Sequence, residues 1–273
     1  MSAAAFVQND GYQRLQLVLQ NDFGIVLGDE RRSHIAARLK PVIDEFVTND
    51  LNGLANRLSD EKSPELRNAV LLAITSYATI WFEPAEIFAL LADYVLPGLM
   101  DKRSARIWVV GCGSGALPYS VSMAVTEAQK QAGRKQAVEI VTTDIDESIL
   151  TQAREAVYDQ SALRNLDESR MHKYMTAEGE SRRVNDDIRS RITFKTCNLL
   201  DDISGMGHFD VVICVDTLMY FSIALKRHIL DGISELLAPS GILLVGANET
   251  VISLCRDFDR VEIDAGVFYR QKS

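Results

Sequence analysis

Apolar side chains recur at helical spacing through the first hundred or so residues and then, from Arg106, gather into short runs separated by amphipathic stretches. Tyr12, Leu15, Val18 and Leu19 mark one helical face, and Ile35, Leu39, Val42, Ile43 and Phe46 mark a second. Ser63 and Pro64 predict a capped helix start, with Glu65 in the first turn leading into Leu66, Val70, Leu71 and Ile74. Pro84 opens a further helix carrying Ile87, Phe88, Leu91 and Val95, which Pro97 is expected to close. No two-residue alternation competes, so residues 1–100 read as a small all-α domain with no catalytic signature of its own.

Beyond it, the runs RIWVVG, AVEIVTT, RITFKT, FDVVICV and GILLVG, and a last strand region ending VFYR, are interleaved with helical stretches. Strands separated by helices argue a parallel sheet, so residues 101–273 are expected to form an α/β domain. The polar stretch 158–190 breaks that rhythm and is long for a loop. It predicts a small inserted subdomain, a helix with a β excursion between two parallel strands. Lying outside the α/β rhythm, it is expected to serve partner recognition and to be dispensable for cofactor binding.

A length of 273 residues accommodates one α/β domain of about 170–200 residues with a helical appendage. Hydrophobic residues at 47% and charged residues at 25% are ordinary for a globular chain and give no reason to invoke disorder. A net charge of −9, with no dense basic patch, argues against nucleic acid as a partner. No apolar run approaches the roughly 18 residues of a membrane span, and the start lacks a charged region followed by an apolar one. Neither membrane insertion nor export is expected. Cys112, Cys197, Cys214 and Cys255 show no paired spacing, which fits free thiols in the cytoplasm. None of His34, His172, His208 and His228 recurs at metal-ligand spacing, and no metal is expected.

The candidate chemistry begins at VVGCGSG, which sets Gly111, Gly113 and Gly115 between a buried strand and a helix. Such a turn can bring backbone N–H groups close to a ligand, although glycine turns also punctuate α/β folds that bind nothing. The second strand decides between these readings, because about thirty residues on it ends at Asp144, an acid placed to accept both hydroxyls of a ribose. A dinucleotide fingerprint wants a third glycine where Pro118 and Tyr119 stand, so S-adenosylmethionine (SAM) is favoured over a nicotinamide cofactor. Asp146 reads as the cap of the following helix.

These segments resemble the chemotaxis receptor glutamate O-methyltransferases, the CheR family. GIVLGDERRSHIAARL at 24–39 is similar to the family's helical domain, and TSYATIWFEPAEIF at 75–88 to its TTNxTxFFRxxxxF segment. RIWVVGCGSGALPYSVSMA at 106–124 resembles its first strand and GEEPYS turn. DIDESILTQAREAVY at 144–158, NLL at 198–200, CVDTLMYF at 214–221 and APSGILLVGANE at 238–249 continue the match in order. The resemblance implies a Rossmann-like SAM-dependent methyltransferase domain. It implies SAM as cofactor, S-adenosylhomocysteine as product, and chemoreceptor cytoplasmic helices or another signalling protein as partner. It also implies that Thr79, Asp144, Asn198 and Leu199 touch SAM, with Asp144 on the ribose and Asn198 at the adenine, and that Tyr220 lies beside the transferred methyl. Tyr77, Leu117, Ile145, Val215 and Asp216 occupy neighbouring cofactor positions. On the second helix, Arg31, His34 and Arg38 resemble the basic surface by which the family approaches acidic receptor helices.

The departures fall around the same site. Tyr77 stands for a family Asn, Glu83 for an Arg, Ala116 and Leu117 for a Glu pair, and Val215 and Asp216 for Arg-Asn. A glutamate acceptor arrives ionised, and like charges about 4 Å apart repel by roughly 4 kcal/mol at an effective dielectric near 20. Glu83 is therefore expected either to pair with a basic group on the substrate or to lie on the helix surface as a first-turn acid. With an amine or hydroxyl acceptor a base is needed, for which Glu83, Asp216 and Tyr220 are the candidates. Two alternatives follow: a catalytically silent signalling module that binds SAM or S-adenosylhomocysteine, and a methyltransferase with a changed acceptor.

Overall fold

The computed structural model of the chain describes residues 10–29, 32–60, 63–75, 80–247, 249 and 251–272. Internal packing divides it into two compact units, Met1–Tyr77 with Tyr220–Leu225, and Ala78–Met219 with Lys226–Ser273.

In the first unit α1 (Asp10–Phe23) packs on α3 (Leu51–Asp60), and α2 (Arg32–Glu45) on α4 (Pro64–Thr75). Leu15, Leu19, Ile35, Leu39, Leu66 and Val70 are buried, so these stripes legible as helical periodicity are faces removed from water, and Leu54 of α3 is buried with them. Ser63 Oγ accepts the Leu66 N–H at 3.3 Å and caps α4. Ile25 bridges Phe221 antiparallel, and the Val26 N–H donates to the Tyr220 carbonyl at 2.7 Å, which ties residues 220–225 into this unit.

The second unit opens with α5 (Ala85–Leu90), a π-turn (Leu91–Val95) and α6 (Leu96–Met100). Pro97 does not close the helix as expected. It lies in the first turn of α6, where a missing N–H is tolerated, and the wider turn ahead of it accommodates the ring. Ile87, Leu90, Leu91, Val95 and Leu99 share one core with Ile107, Val109, Ile140 and Val211. The units divide at 77–78 although the sequence pattern changes near 100, because periodicity gives the apolar face of a helix and not the neighbour it is buried against.

Among the described residues ten strands follow: β1 (Ser104–Val110), β2 (Ala137–Asp144), β3 (Val157–Tyr158), β4 (Met175–Glu178), β5 (Ser181–Val184), β6 (Ile192–Thr196), β7 (Phe209–Cys214), β8 (Leu237–Val245), β9 (Phe258–Ile263) and β10 (Gly266–Gln271). Seven form a sheet in the order β6-β2-β1-β7-β8-β10-β9. The first five run parallel, and β10 and β9 close the far edge as an antiparallel pair. Val110 at the end of β1 lies opposite Thr143 on one side and Cys214 on the other. A central parallel strand is buried on both faces, which is why β1 reads as an almost unbroken apolar run. With α7 (Ala116–Ala132), α8 (Glu147–Glu155) and α11 (Ile223–Leu236) as connecting helices, this is a Rossmann-like α/β fold. The stretch 158–190 holds α9 (Glu168–Tyr174), α10 (Asp186–Arg189) and most of a three-stranded antiparallel sheet, β3-β5-β4. Among the described residues no helix is long and apolar enough to cross a membrane.

Candidate functional site

From β1 the chain moves one way to β2 and β6, and later the other way through β7 to β8, so the topology switches beside β1. Open α/β sheets bind ligands beyond the carboxyl ends of the strands at such a switch. Gly111 follows β1 there, Asp144 ends β2, Asn198 lies just past β6 and Val215 follows β7.

The three glycines all have positive φ, 78° at Gly111, 50° at Gly113 and 92° at Gly115, where a side chain costs energy. At Gly115 no side chain fits: an added Cβ would lie 2.7 Å from the Tyr158 hydroxyl and 3.1 Å from Ala153 Cβ. At Gly111 it would lie 3.0 Å from Thr217 Oγ1, whereas at Gly113 it meets nothing within 4 Å. A side chain would therefore meet its neighbours at either end of the turn, while the middle is open. Its N–H groups are braced against β2: Gly111 and Cys112 both donate to the Thr143 carbonyl, at 3.0 and 2.9 Å. Tyr158 adds a clamp by donating its hydroxyl to the Ser114 carbonyl at 2.7 Å.

Asp144 accepts the Gly113 N–H at 3.1 Å through Oδ2 and the Asp146 N–H at 3.2 Å through Oδ1. Burial is the largest influence on its carboxyl and raises its pKa above 3.8, while the N–H groups of Gly113, Asp146 and Ile145 pull it back down. A carboxylate offers about four lone-pair directions, more than these backbone donors occupy, and the open face of Gly113 lies beside it. The remaining acceptor capacity of the carboxylate fits the hydroxyls of a ribose diol. Asp146 has the other role read for it, accepting the Ser148 N–H at 2.7 Å as the cap of α8. Ile145 between them exposes 44% of an apolar side chain at the strand end. Burial first, and then the charge of Asp144, push the Cys112 thiol up to about 12, which leaves it an unreactive packing residue.

Past β6 the Cys197 N–H donates to the Asp144 carbonyl at 2.8 Å, so the Asn198 segment is anchored directly to the end of β2. Asn198 Oδ1 accepts the Leu200 N–H at 3.1 Å, an Asx turn that commits its oxygen locally. Leu199 lines a cavity of about 390 Å³ with Ile203, Gly207 and Leu236.

After β7, Val215 packs at the margin of the main core and Asp216 is exposed with φ 53°. Leu117 packs at the same margin from the first turn of α7. Glu83 is exposed, and its Oε2 accepts the Ala85 N–H at 3.0 Å, which caps α5 after the cis Glu83–Pro84 bond. Tyr220 is buried and belongs to the first unit through the backbone bond to Val26. Tyr77, Thr79 and Arg31 lie outside the described residues. His34 on α2 is exposed and Arg38 half-buried.

Three residues that motif reading did not assign shape the site. Tyr158 and Thr217 wall the glycine turn, and Glu249 receives backbone N–H groups from the segment after β7. Only Glu249 left a trace in the sequence, as an acid shortly after a buried strand, and nothing in that pattern says which backbone it would meet.

Residues 78–267 match the family described as CheR methyltransferase, SAM binding domain. The chain is 37% identical over 279 residues to Chemotaxis protein methyltransferase 1 of Pseudomonas aeruginosa, covering 100% of both chains. It is 34% identical over 273 residues to the Chemotaxis protein methyltransferase of Vibrio parahaemolyticus, covering 98% of this chain and 99% of the relative. Chemotaxis protein methyltransferase 1 of Vibrio cholerae is 33% identical over 273 residues, with 98% and 99% covered.

Proposed function

The chain belongs to the CheR methyltransferase family and is a SAM-dependent methyltransferase, and from that premise we propose that it methylates glutamate side chains on the cytoplasmic helices of chemoreceptors. The observation that carries this reading is end-to-end similarity to chemotaxis protein methyltransferases, the helical unit included. The work would be done in the cytoplasm, where the receptor helices lie.

SAM supplies an electrophilic methyl on a sulfonium, so transfer to a carboxylate oxygen forms one O–C bond, breaks one C–S bond and needs neither a base nor a metal. What remains for the protein is to hold the two partners in line. We assign Asp144 to the ribose hydroxyls, Ile145 and Leu199 to the faces of the adenine and Asn198 to its edge. Gly111, Gly113 and Gly115 let the turn pass close beneath the methionyl part, and Leu117, Val215 and Asp216 flank it. Glu83, bonded to the Ala85 N–H, is a helix-capping acid in this reading and leaves a glutamate acceptor admissible.

The test is methyl transfer from tritiated SAM to membranes bearing chemoreceptors. Alkali-labile counts on the receptor band identify a carboxyl methyl ester. Alkali-stable counts would mean a changed acceptor. Calorimetric binding of SAM and S-adenosylhomocysteine without any transfer would mean a silent signalling module.

A further inference from the structure

We propose that Glu249 is a positioning residue for methyl transfer, its buried carboxylate fixing residues 215–218 as one wall of the cofactor crevice. The inference rests on the reading that this segment faces SAM.

Glu249 is only 7% exposed and lies just beyond β8, at the same carboxyl edge of the sheet as the glycine turn. Its Oε2 accepts the Gly246 N–H at 2.9 Å and the Asp216 N–H at 3.2 Å, and its Oε1 accepts the Leu218 N–H at 2.7 Å. A carboxylate without a cation partner is costly to bury, and burial is the largest influence raising the Glu249 pKa, with the charge of Asp216 adding to it. Three convergent N–H groups offset that cost. They also determine what the carboxylate does, since two of them belong to the segment after β7 and the third to the turn after β8. The side chain thus ties the ends of adjacent strands together beyond the last ladder hydrogen bond.

The backbone it holds needs support. Asp216 sits at φ 53°, the left-handed region that Asp tolerates better than most residues but that still confers less intrinsic stability than the right-handed one. Thr217 next to it brings Oγ1 to 3.0 Å from where a Gly111 Cβ would stand, so the segment lies close enough to the glycine turn that a side chain at Gly111 would crowd it. A displacement of 215–218 would move that wall relative to the turn, and a misplacement of about 1 Å in a reacting geometry can cost about a hundredfold in rate.

The experiment uses the full chain with Glu249→Gln, which preserves shape but offers an NH2 group where backbone N–H donors converge. The KM for SAM and the Kd for S-adenosylhomocysteine are expected to rise about tenfold, more than kcat falls. Amide hydrogen exchange should quicken at Asp216 and Leu218 while β1 and β2 keep their protection. A purely structural role would lower kcat with the folded fraction and leave KM unchanged, and that result would overturn the proposal. So would wild-type affinity in E249Q when Asp144→Ala has lost it. Wild-type affinity in both variants would instead overturn the cofactor reading beneath. If E249Q does not fold, Glu249→Asp, which keeps the charge but withdraws it by one methylene, carries the same measurements and the same overturning results.

Discussion

The side-chain amide of Asn165 and the backbone of Trp81 exchange two hydrogen bonds, Nδ2 donating to the Trp81 carbonyl at 3.1 Å and Oδ1 accepting the Trp81 N–H at 3.4 Å. Trp81 Nε1 also donates to the Ala162 carbonyl at 2.9 Å, and the Arg170 guanidinium lies 3.9 Å above the Phe82 ring while pairing with Glu127. The insertion therefore secures the segment leading into Glu83, whatever its part in partner recognition. Asn165→Ala is predicted to cost about 1–3 kcal/mol by leaving buried backbone groups unsatisfied. Each kcal/mol lowers Tm by roughly 2–4 °C in a domain of this size. Thermal unfolding of the variant measures it. If that support extends to the cofactor site, deletion of the whole insertion should abolish SAM binding, and retained binding would uphold the dispensability expected from the sequence.

Asp144→Ala is expected to weaken SAM binding at least tenfold, because hydrogen bonds to an ionised group are worth about 1.5–3 kcal/mol each. Calorimetry with S-adenosylhomocysteine reads the effect, and unchanged affinity would remove Asp144 from the site.

The same residue sets a pH dependence. Its pKa is raised above 3.8 in the folded chain, so the stability it contributes is fully present below 3.8 and is lost as pH rises through the folded value. Cofactor binding runs the opposite way, since the ionised form accepts the ribose hydroxyls. Affinity should fall as pH drops through a value above 3.8, and Asp144→Asn should flatten that profile.

Alanine substitutions at two glycines should separate fit from conformation. Gly113→Ala meets open space and is predicted to cost only the left-handed penalty of about 1–2 kcal/mol. Gly115→Ala meets that penalty and also a Cβ 2.7 Å from the Tyr158 hydroxyl, and should destabilise the fold more severely. Equal Tm losses would contradict the packing described around the turn.

Glu83→Gln keeps an oxygen for the Ala85 N–H and removes the charge. Full repulsion of a glutamate acceptor at about 4 Å would be worth about 4 kcal/mol, roughly a thousandfold in rate. With the carboxylate engaged in the helix cap, receptor methylation should change by no more than about twofold, the scale of a surface charge effect. A rise of tenfold or more would show that Glu83 confronts the acceptor directly.

The parts of this architecture legible in the sequence are those with strong local signals. The apolar runs of β1, β2, β7 and β8, the glycine turn, the Asp144 and Asp146 roles in capping and strand ending, and the stripes of α1, α2 and α4 all follow from periodicity and from cap chemistry. β9 was not separated from β10, because FDRVEI carries three charges and lies at the sheet edge, where one face stays wet and the apolar alternation is thin. The continuation through Pro97 depends on a π-turn, which has no sequence signature. Tyr158, Asn165, Thr217 and Glu249 owe their roles to chain segments far away in sequence, so no window around them could show what they touch.

The chain passes between its two units at 77–78, at 219–220 and again at 225–226. They are laced together three times, unlike beads joined by one string. A protease that nicks the chain near residue 78 would yield two pieces that still copurify, held by the 220–225 stitch on Ile25 and Val26. A gene fragment beginning at residue 78 would encode the whole Rossmann-like sheet together with an orphaned stitch, its hydrogen-bonding partners left behind in the missing half.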